Sequence, residues 1–215
     1  MKLKWLGHSC FLLTFSNDMR ILTDPFDSHI GFGLPEVEAD IVTTSHGHGD
    51  HNYIQAVKGK FTHLPNRGSY NINCVGIEAI PTFHDEAGGK KRGENLVFVF
   101  EMDGLRICHC GDLGHLPTAA QQAEIGRVDV LLTPVGGVYT IDAESAVRLV
   151  ELLKPVITIP MHFKTPDLSL PLDGVGKFIT AAGGGSKAGR QEIELTPENL
   201  HTYPKILILE KSPVT

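Results

Sequence analysis

Short apolar runs separated by turn-forming residues make up the first half of the chain. Apolar runs of about four to eight residues, bounded by glycine, proline, asparagine or aspartate, are typical of strands. On this criterion the sequence predicts strands at Lys2–Leu6, Cys10–Phe15, Met19–Thr23, Ala39–Val42, Phe61–His63, Asn71–Cys74, Gly76–Pro81, Leu96–Met102 and Leu105–His109. The dipeptide Asp103-Gly104, between the last two, is a strong hairpin signal. In this half, Asn52–Val57 suits a short helix.

The last third of the chain has a different hydrophobic pattern, which predicts helices alternating with strands. The pattern predicts helices at Pro117–Ile125, Ile141–Leu153 and Leu172–Ala182 and strands at Val128–Leu132, Val156–Ile159 and Lys205–Glu210. Asp142 is a suitable N-cap for the second helix. The chain has no internal repeat, and its one turn-rich break is Gly183–Gly189. We therefore predict a single α/β domain over residues 1–215, with layered sheets.

Composition and charge narrow the class of protein. The 215 residues include 41% hydrophobic and 20% charged positions, as expected of one soluble globular domain. The net charge of −6 gives no general attraction to nucleic acid, so no nucleic-acid partner is expected. No apolar stretch approaches the roughly 18 residues that a transmembrane helix needs. The four cysteines lack the spacing of a disulfide framework, which favours a reduced, cytoplasmic protein.

A cluster of metal-binding side chains changes this ordinary picture. The segment Ser45–His51, SHGHGDH, holds three histidines and one aspartate and follows a predicted buried strand. Imidazole and carboxylate groups suit Zn²⁺, and also Mn²⁺ or Fe, and groups this close would repel one another without a cation among them. Gly47 and Gly49 permit loop dihedrals that let the side chains converge. The alternative is a solvated histidine-rich loop or a purification tag, but a tag would lie at a terminus.

Three more potential ligands, His84, Asp112 and His162, come at the ends of predicted strands. A strand end is held rigidly by its sheet, while the residue that follows can point into a cleft. A lone histidine at such a position is more often structural. Because the Ser45–His51 segment already indicates metal, we interpret all three as parts of the same site.

The combined pattern resembles the metallo-β-lactamase superfamily of binuclear metallohydrolases. That family carries H-x-H-x-D-H, then a histidine, a bridging aspartate and a last histidine, and the matching residues here are His46, His48, Asp50, His51, His84, Asp112 and His162. Three short sequence motifs resemble those of a compact bacterial branch of this superfamily, related to sugar-phosphate lactonases and N-acyl-phosphatidylethanolamine phospholipases D. They are Trp5–Cys10, Gly111-Asp112 and Met161-His162-Phe163. The resemblance implies a four-layer αβ/βα sandwich, with the site along one edge of two facing sheets.

The resemblance also implies how the ligands divide between two ions. His46, His48 and His84 would hold one metal ion, and Asp50, His51 and His162 the other, with Asp112 bridging them. The expected cofactors are two divalent ions, with Zn²⁺ ahead of Mn²⁺ or Fe. A hydroxide shared by the two ions would be the nucleophile, because the pKa of a metal-bound water falls to about 7 from 15.7.

Asp50 and His115 are the candidate catalytic residues. His115 lies within reach of a leaving group that it could protonate, and the structural alternative is a histidine at the start of a helix. Asp24 is either a turn residue or a buried carboxylate that fixes the tautomer of a ligand histidine. His8 belongs to the Trp5–Cys10 motif and could line the cleft. The remaining histidines are interpreted as structural, namely His29, His63, His109 and His201.

These residues predict a small hydrolase that cleaves an ester, a lactone or a phosphodiester. If the basic run Lys90, Lys91 and Arg92 folds over the cleft, it would favour an anionic small-molecule substrate; otherwise it is a solvated turn. The alternatives are a nuclease or phosphodiesterase that acts on nucleic acid, and a non-catalytic metal-binding sensor. The apolar loop Phe26–Pro35 could wall the cleft, cover the core or form a dimer contact, so the oligomeric state stays open.

Overall fold

Residues 1–213 are described by a computed structural model, and they form two six-stranded sheets, two two-stranded sheets and three α-helices. The strands are β1 (Lys2–Gly7), β2 (Cys10–Thr14), β3 (Arg20–Thr23), β4 (Val37–Glu38), β5 (Ile41–Thr43), β6 (Val57–Lys58), β7 (Thr62–Leu64), β8 (Gly68–Ile72), β9 (Val75–Phe83), β10 (Glu94–Met102), β11 (Leu105–His109), β12 (Val130–Pro134), β13 (Ile157–Met161), β14 (Ser186–Lys187), β15 (Glu192–Glu194) and β16 (Leu207–Ile208). The helices are α1 (Ala119–Ile125), α2 (Ala143–Leu153) and α3 (Val175–Ala181).

Both large sheets change from antiparallel to parallel pairing. The first has the order β15-β1-β2-β3-β5-β7, in which β3, β5 and β7 are parallel. The second has the order β13-β12-β11-β10-β9-β8, in which β11, β12 and β13 are parallel. Because parallel strands run in one direction, the segments that follow β3 and β5 leave the same edge of the first sheet. The segments that follow β11 and β13 likewise leave one edge of the second sheet.

Side chains of the first sheet alternate between two apolar layers. In β2, Phe11 and Leu13 belong to the large core that also contains Phe98 and Ile77 of the second sheet. Cys10 and the partly buried Leu12 belong to a smaller cluster on the opposite face. This alternation follows from the two-residue period of a strand, and it packs the two sheets face to face.

The apolar loop Phe26–Pro35 covers the outer face of the first sheet. Phe26, Ile30 and Phe32 are buried there together with Leu168. Of the three roles considered for this loop, the structure supports covering of the core. The predicted α/β sandwich is confirmed, with one difference: none of the three α-helices described in residues 1–213 contributes to this outer cluster, which is built from loops and short turns.

Most predicted elements are present, and the largest difference is at Asn52–Val57. This segment forms only a 3₁₀ turn, Ile54–Ala56, in place of the predicted helix. So short a segment gains too few hydrogen bonds to offset the cost of helix nucleation. In addition, the backbone N–H of Tyr53 donates to Pro25 O at 2.8 Å, which draws the chain away from a helical path.

Side-chain caps define where the helices begin. Thr118 forms a capping box with Gln121, so α1 begins at Ala119 rather than at the predicted proline. Asp142 accepts a hydrogen bond from the Ser145 backbone N–H at 2.8 Å, which confirms the predicted N-cap of α2. None of the helices described for residues 1–213 has the length and apolar character needed to cross a bilayer.

Leu13→Ala should destabilise the fold strongly, because the Leu13 side chain is completely buried between the two sheets. Truncation of a buried leucine removes apolar contacts and leaves a cavity, at a cost of about 2–5 kcal/mol. Leu152→Ala is the matched control, since Leu152 is 40% exposed on α2 and its loss should cost about 0.5 kcal/mol or less. Urea unfolding of the metal-free proteins measures both, and equal losses would contradict the assigned core.

Candidate metal centre

The residues predicted to bind metal meet where the edges of the two sheets adjoin. The Ser45–His51 segment follows β5, His84 follows β9, Asp112 follows β11 after a short turn, and His162 follows β13 directly. Their potential ligand atoms form three overlapping groups, each within 4.8 Å: His46, His48 and His84; His46, His51 and Asp112; and His8, Asp50, His51 and His162. The fold thus brings all seven predicted ligands together, and His8 joins them.

The carboxylate of Asp112 lies in the middle of this cluster. Its Oδ1 is 3.1 Å from His51 Nε2, and its Oδ2 is 3.1 Å from His84 Nε2 and 3.2 Å from His162 Nε2. Bonds of about 2.0 Å to a tetrahedral ion place neighbouring ligand atoms about 3.3 Å apart, which is close to these separations. Histidines from both predicted halves therefore face one carboxylate.

Buried atoms without partners show that this donor set fits a cation. In the part of the chain that the structure describes, His46 Nε2, His51 Nε2, Asp112 Oδ1 and His162 Nε2 are buried and make no hydrogen bond. Such atoms cost free energy in a folded protein, so a concentration of them in one place calls for a bound ligand. Imidazole and carboxylate groups are the ligands that Zn²⁺ and related divalent ions take in proteins.

Asp24 is a fully buried carboxylate that holds the start of the Ser45–His51 segment. Its Oδ1 accepts the Ser45 backbone N–H at 2.7 Å, and its Oδ2 accepts the Ser45 hydroxyl at 2.6 Å. The same Oδ2 lies 2.8 Å from His51 Nδ1. With its proton on Nδ1, the His51 ring presents the lone pair of Nε2 toward Asp112, which is the tautomer that a metal ligand needs. The expected contact between Asp24 and a histidine of the site is therefore present.

Asn95 supports the turn that carries Asp112, and no sequence signal marks it. Its Oδ1 accepts the Asp112 backbone N–H at 2.8 Å, while its Nδ2 donates to Thr82 Oγ1 and to Cys110 O. Gly111, with φ of 55°, passes so close that a Cβ there would lie 2.5 Å from Asn95 Oδ1. Only glycine fits this approach without a shift of its neighbours.

Burial and charge act in opposite directions on the central groups. Burial would raise the pKa of Asp112, but the rings of His162 and His51 hold that pKa well below its usual range. Burial would lower the pKa of His51, but Asp112 and Asp50 outweigh it and raise that pKa well above its usual value. Burial and the nearby His51 lower the pKa of His46 to about 3. His46 is thus neutral near pH 7, as a metal ligand would need to be, and a cation that took His51 as a ligand would displace a proton from it.

Asp50 is the most exposed carboxylate of the cluster, with 25% of its side chain accessible. Burial would raise its pKa, but His51 and a hydrogen bond with His8 lower it. The Asp50 carboxylate is therefore ionised near neutral pH, as a metal ligand must be.

His115 lies outside the ligand groups, and the backbone occupies both of its ring nitrogens. Its Nε2 accepts the Phe83 backbone N–H at 3.1 Å, and its Nδ1 lies 2.8 Å from Leu116 O, which it faces as a donor. In this arrangement the ring joins the end of β9 to the segment after Asp112 and has no free proton for a leaving group. The catalytic role of His115 stays a prediction that these contacts do not support.

Among the histidines interpreted as structural, three have a partner for a ring nitrogen, and the exposed His29 has its Nδ1 3.1 Å from Asp27 Oδ1. His63 Nε2 lies 3.0 Å from Thr44 Oγ1, and His109 Nε2 lies 2.8 Å from Ser9 O in the core. Burial lowers the pKa of both rings. His29 and His201 are exposed.

A cleft of about 900 Å³ opens beside His46 and His48. Arg67, Arg92 and Glu94 contribute charged side chains to its wall. The cleft is large enough for a small organic molecule and gives that molecule access to one half of the cluster.

The loop 87–93, which carries Arg92, is organised around the buried carboxylate of Asp85. That carboxylate accepts the backbone N–H groups of Ala87, Gly89, Lys91 and Arg92 at 2.8–3.0 Å. Backbone donors therefore set the shape of the loop, and these four bonds hold the pKa of Asp85 below its usual value against the opposing effect of burial.

Comparison with known proteins agrees with the geometry. A family model described as a beta-lactamase superfamily domain matches residues 2–162. The chain is similar to a UPF0173 metal-dependent hydrolase from Archaeoglobus fulgidus, with 32% identity over 77% of this chain and 84% of that one. A UPF0173 metal-dependent hydrolase from Thermococcus kodakarensis shows 34% identity over 77% of this chain and 85% of that one.

A crystal structure of a metallo-beta-lactamase superfamily protein from Thermotoga maritima is similar over nearly the whole chain. It superposes with a TM-score of 0.82 and 40% identity, covering 98% of this chain and 99% of that one. The seven-residue pattern, the two facing sheets and the matches over most of the chain lead to one assignment. The chain belongs to the beta-lactamase superfamily, among its UPF0173 metal-dependent hydrolases.

Proposed function

We propose that this metal-dependent hydrolase works with two divalent ions held side by side. His46, His48 and His84 would hold one ion, and Asp50, His51 and His162 the other, with Asp112 between them. The observation that carries the proposal is the position of Asp112, whose Oδ2 lies 3.1 Å from His84 of one half and 3.2 Å from His162 of the other. A bridging carboxylate lets two cations lie about 3.5–4 Å apart in spite of their repulsion.

Two bound ions would polarise a carbonyl or phosphoryl oxygen and lower the pKa of a shared water from 15.7 to about 7. The protein supplies the arrangement in which this happens. Asp24 holds the His51 ring in the tautomer that leaves Nε2 free. Asp50, partly exposed, adds a carboxylate that can accept a hydrogen bond from a water molecule and so orient it, and this is the catalytic role that we propose for it.

We infer that the ions are Zn²⁺. Three imidazoles from His46, His48 and His84 are a ligand set of catalytic zinc sites, and Zn²⁺ can expand from four to five ligands to take a water beside the bridging Asp112. Mn²⁺ and Fe accept the same nitrogen and oxygen donors, so metal analysis is the deciding measurement. Free cysteines, three of the four buried, support the proposed cytoplasmic location.

The proposed substrate is a small anionic ester, lactone or phosphodiester. Arg67 and Arg92 line the cleft beside His46 and His48, and in residues 1–213 neither guanidinium forms an ion pair with a carboxylate. A substrate carboxylate or phosphate would provide that partner. Of the basic run considered in the sequence, Arg92 lines the cleft, whereas Lys91 pairs with Glu86 and Lys90 is exposed to solvent.

Asp112→Asn should lower metal content and abolish hydrolysis. The amide keeps the shape of the side chain but has only one oxygen with which to bridge two ions. We expect two equivalents of metal per wild-type chain, fewer in the variant, and a loss of at least about 10²-fold in kcat/KM. Elemental analysis and a panel of chromogenic phosphodiesters, phosphomonoesters and lactones provide the measurements.

Asp142→Asn is the matched control for this experiment, since asparagine caps a helix as well as aspartate and Asp142 lies at the start of α2. A wild-type chain that binds no divalent ion would contradict the proposed function. Metal binding without turnover of any ester in the panel would identify a sensor instead, and turnover of nucleic acid alone would identify a nuclease.

Asp24→Asn should weaken metal binding without removing a proposed ligand. The new amide can donate to His51 Nδ1 and so drive the ring proton onto Nε2, where it blocks coordination. We expect a loss of about 10–100-fold in metal affinity, measured by competition with a chelating dye. Asp27→Asn, which changes a nearby carboxylate in the turn after β3, should leave the affinity unchanged. An unaltered metal affinity in Asp24→Asn would contradict the role of Asp24 in fixing the His51 tautomer.

Arg92→Ala and Arg67→Ala should each raise KM for anionic esters by about 10-fold, the loss expected for one charge-assisted hydrogen bond. KM for a neutral ester should change little. Lys91→Ala is the control, because Lys91 already pairs with Glu86 and does not line the cleft. Steady-state kinetics on matched charged and neutral esters measures these changes in KM. Equal changes in KM for both esters would exclude an anion-binding role for the two arginines.

A further inference from the structure

His8 lies at the tip of the turn between β1 and β2 and points into the metal centre. The residue is 2% exposed, and its ring centroid is 4.2 Å from that of His162 and 4.9 Å from that of His51. Its Nε2 is 3.3 Å from Asp50 Oδ2. The seven-residue ligand pattern does not include His8, so its place in the site needs its own explanation.

Hydrogen-bond geometry separates His8 from the proposed ligands. His51 Nε2 and His162 Nε2 lie 3.1 and 3.2 Å from oxygens of Asp112, yet within residues 1–213 neither nitrogen meets the geometry of a hydrogen bond. Rings that aim at a shared cation behave in this way. His8 Nε2, although slightly farther from its carboxylate, meets the geometry of a hydrogen bond to Asp50 Oδ2. His8 therefore faces the carboxylate as a donor.

The surroundings of the ring also determine which nitrogen carries the proton. His8 Nδ1 is buried and has no partner among the described residues. A proton on Nδ1 would leave a buried donor unpaired and would turn the lone pair of Nε2 against the Asp50 carboxylate. The tautomer with its proton on Nε2 avoids both penalties.

Three contacts fix the backbone that presents His8. The residue has φ of 51°, in the left-handed region that residues with a Cβ rarely adopt. Its carbonyl oxygen accepts the Trp5 indole N–H at 3.0 Å and the His162 backbone N–H at 3.2 Å. At Gly7, a Cβ would lie 2.8 Å from the Phe32 ring, so the turn is also packed closely from outside. Strained residues held this firmly are typical of functional sites.

We propose that His8 is a positioning residue that donates its Nε2–H to Asp50 Oδ2 and thereby fixes this carboxylate for the second metal ion. The proposal rests on the proposed function, in which Asp50 is a ligand. Asp50 is the ligand that needs such support, since a quarter-exposed side chain is free to turn toward water. With Oδ2 held by His8, the orientation of Oδ1 is set as well.

The test compares His8→Gln, which keeps an N–H donor at similar reach, with His8→Leu, which has similar bulk and no donor. Calorimetric titration of the metal-free proteins with Zn²⁺ resolves the two equivalents. We expect His8→Leu to weaken the second equivalent by about 10–100-fold and to leave the first unchanged. His8→Gln should stay within about threefold of wild type, because the hydrogen bond to Asp50 is retained.

A wild-type chain that takes up fewer than two equivalents would contradict the proposed function itself. Two equivalents in wild type with unchanged binding in His8→Leu would overturn only the role of His8. An equal loss in His8→Gln and His8→Leu would overturn it too, since it would show that the imidazole ligates or packs rather than donates. If His8→Leu does not fold by circular dichroism, His8→Asn replaces it: asparagine tolerates the left-handed backbone, but its shorter amide does not reach Asp50.

Discussion

The buried carboxylate of Asp24 is the constraint on which the candidate metal centre depends. It ties the end of β3 to the start of the segment after β5 by accepting two hydrogen bonds from Ser45, and it orients the His51 ring. A fully buried carboxylate is costly unless hydrogen bonds compensate it, and within residues 1–213 the bonds to the Asp24 carboxylate all come from the Ser45–His51 segment. The conformation of the segment and the ionised state of Asp24 therefore stabilise each other.

The fold accepts local backbone strain to bring the site residues together. Asp24, His8 and His162 all have positive φ, at 41°, 51° and 50°. Each lies at a strand end, so the adjoining hydrogen-bonded ladder holds the residue in a conformation that it would not adopt in an isolated peptide. Rigid sheets with strained residues at their edges explain how loops from distant parts of the chain meet within a few ångströms.

The sequence picks out the residues that the fold gathers into one cluster, because histidine and aspartate are rare enough in combination to stand out and because strand ends are visible in the apolar pattern. The contacts that support these residues could not be predicted in the same way, because they join residues far apart in the sequence. Asn95 meets Asp112 across 17 positions and His8 meets Asp50 across 42, so neither pair leaves a periodic or local signal. The helix predicted at Asn52–Val57 is wrong for a related reason, since the hydrogen bond from Tyr53 to Pro25 is tertiary. The position of Arg67 in the cleft wall also depends on how the strands pack.

The hydrogen bonds between Asp85 and the backbone of the loop 87–93 determine which positions of this loop can be substituted. Because the bonds to the Asp85 carboxylate within residues 1–213 come from backbone N–H groups of the loop 87–93, they do not depend on which side chains the loop displays. Residues 90, 91 and 92 can therefore exchange charge or size while the path of the loop and the neighbouring His84 stay in place. The backbone of the loop 87–93, which also accepts the His84 N–H at Gly93 O, is therefore held independently of the side chains that it presents to the cleft.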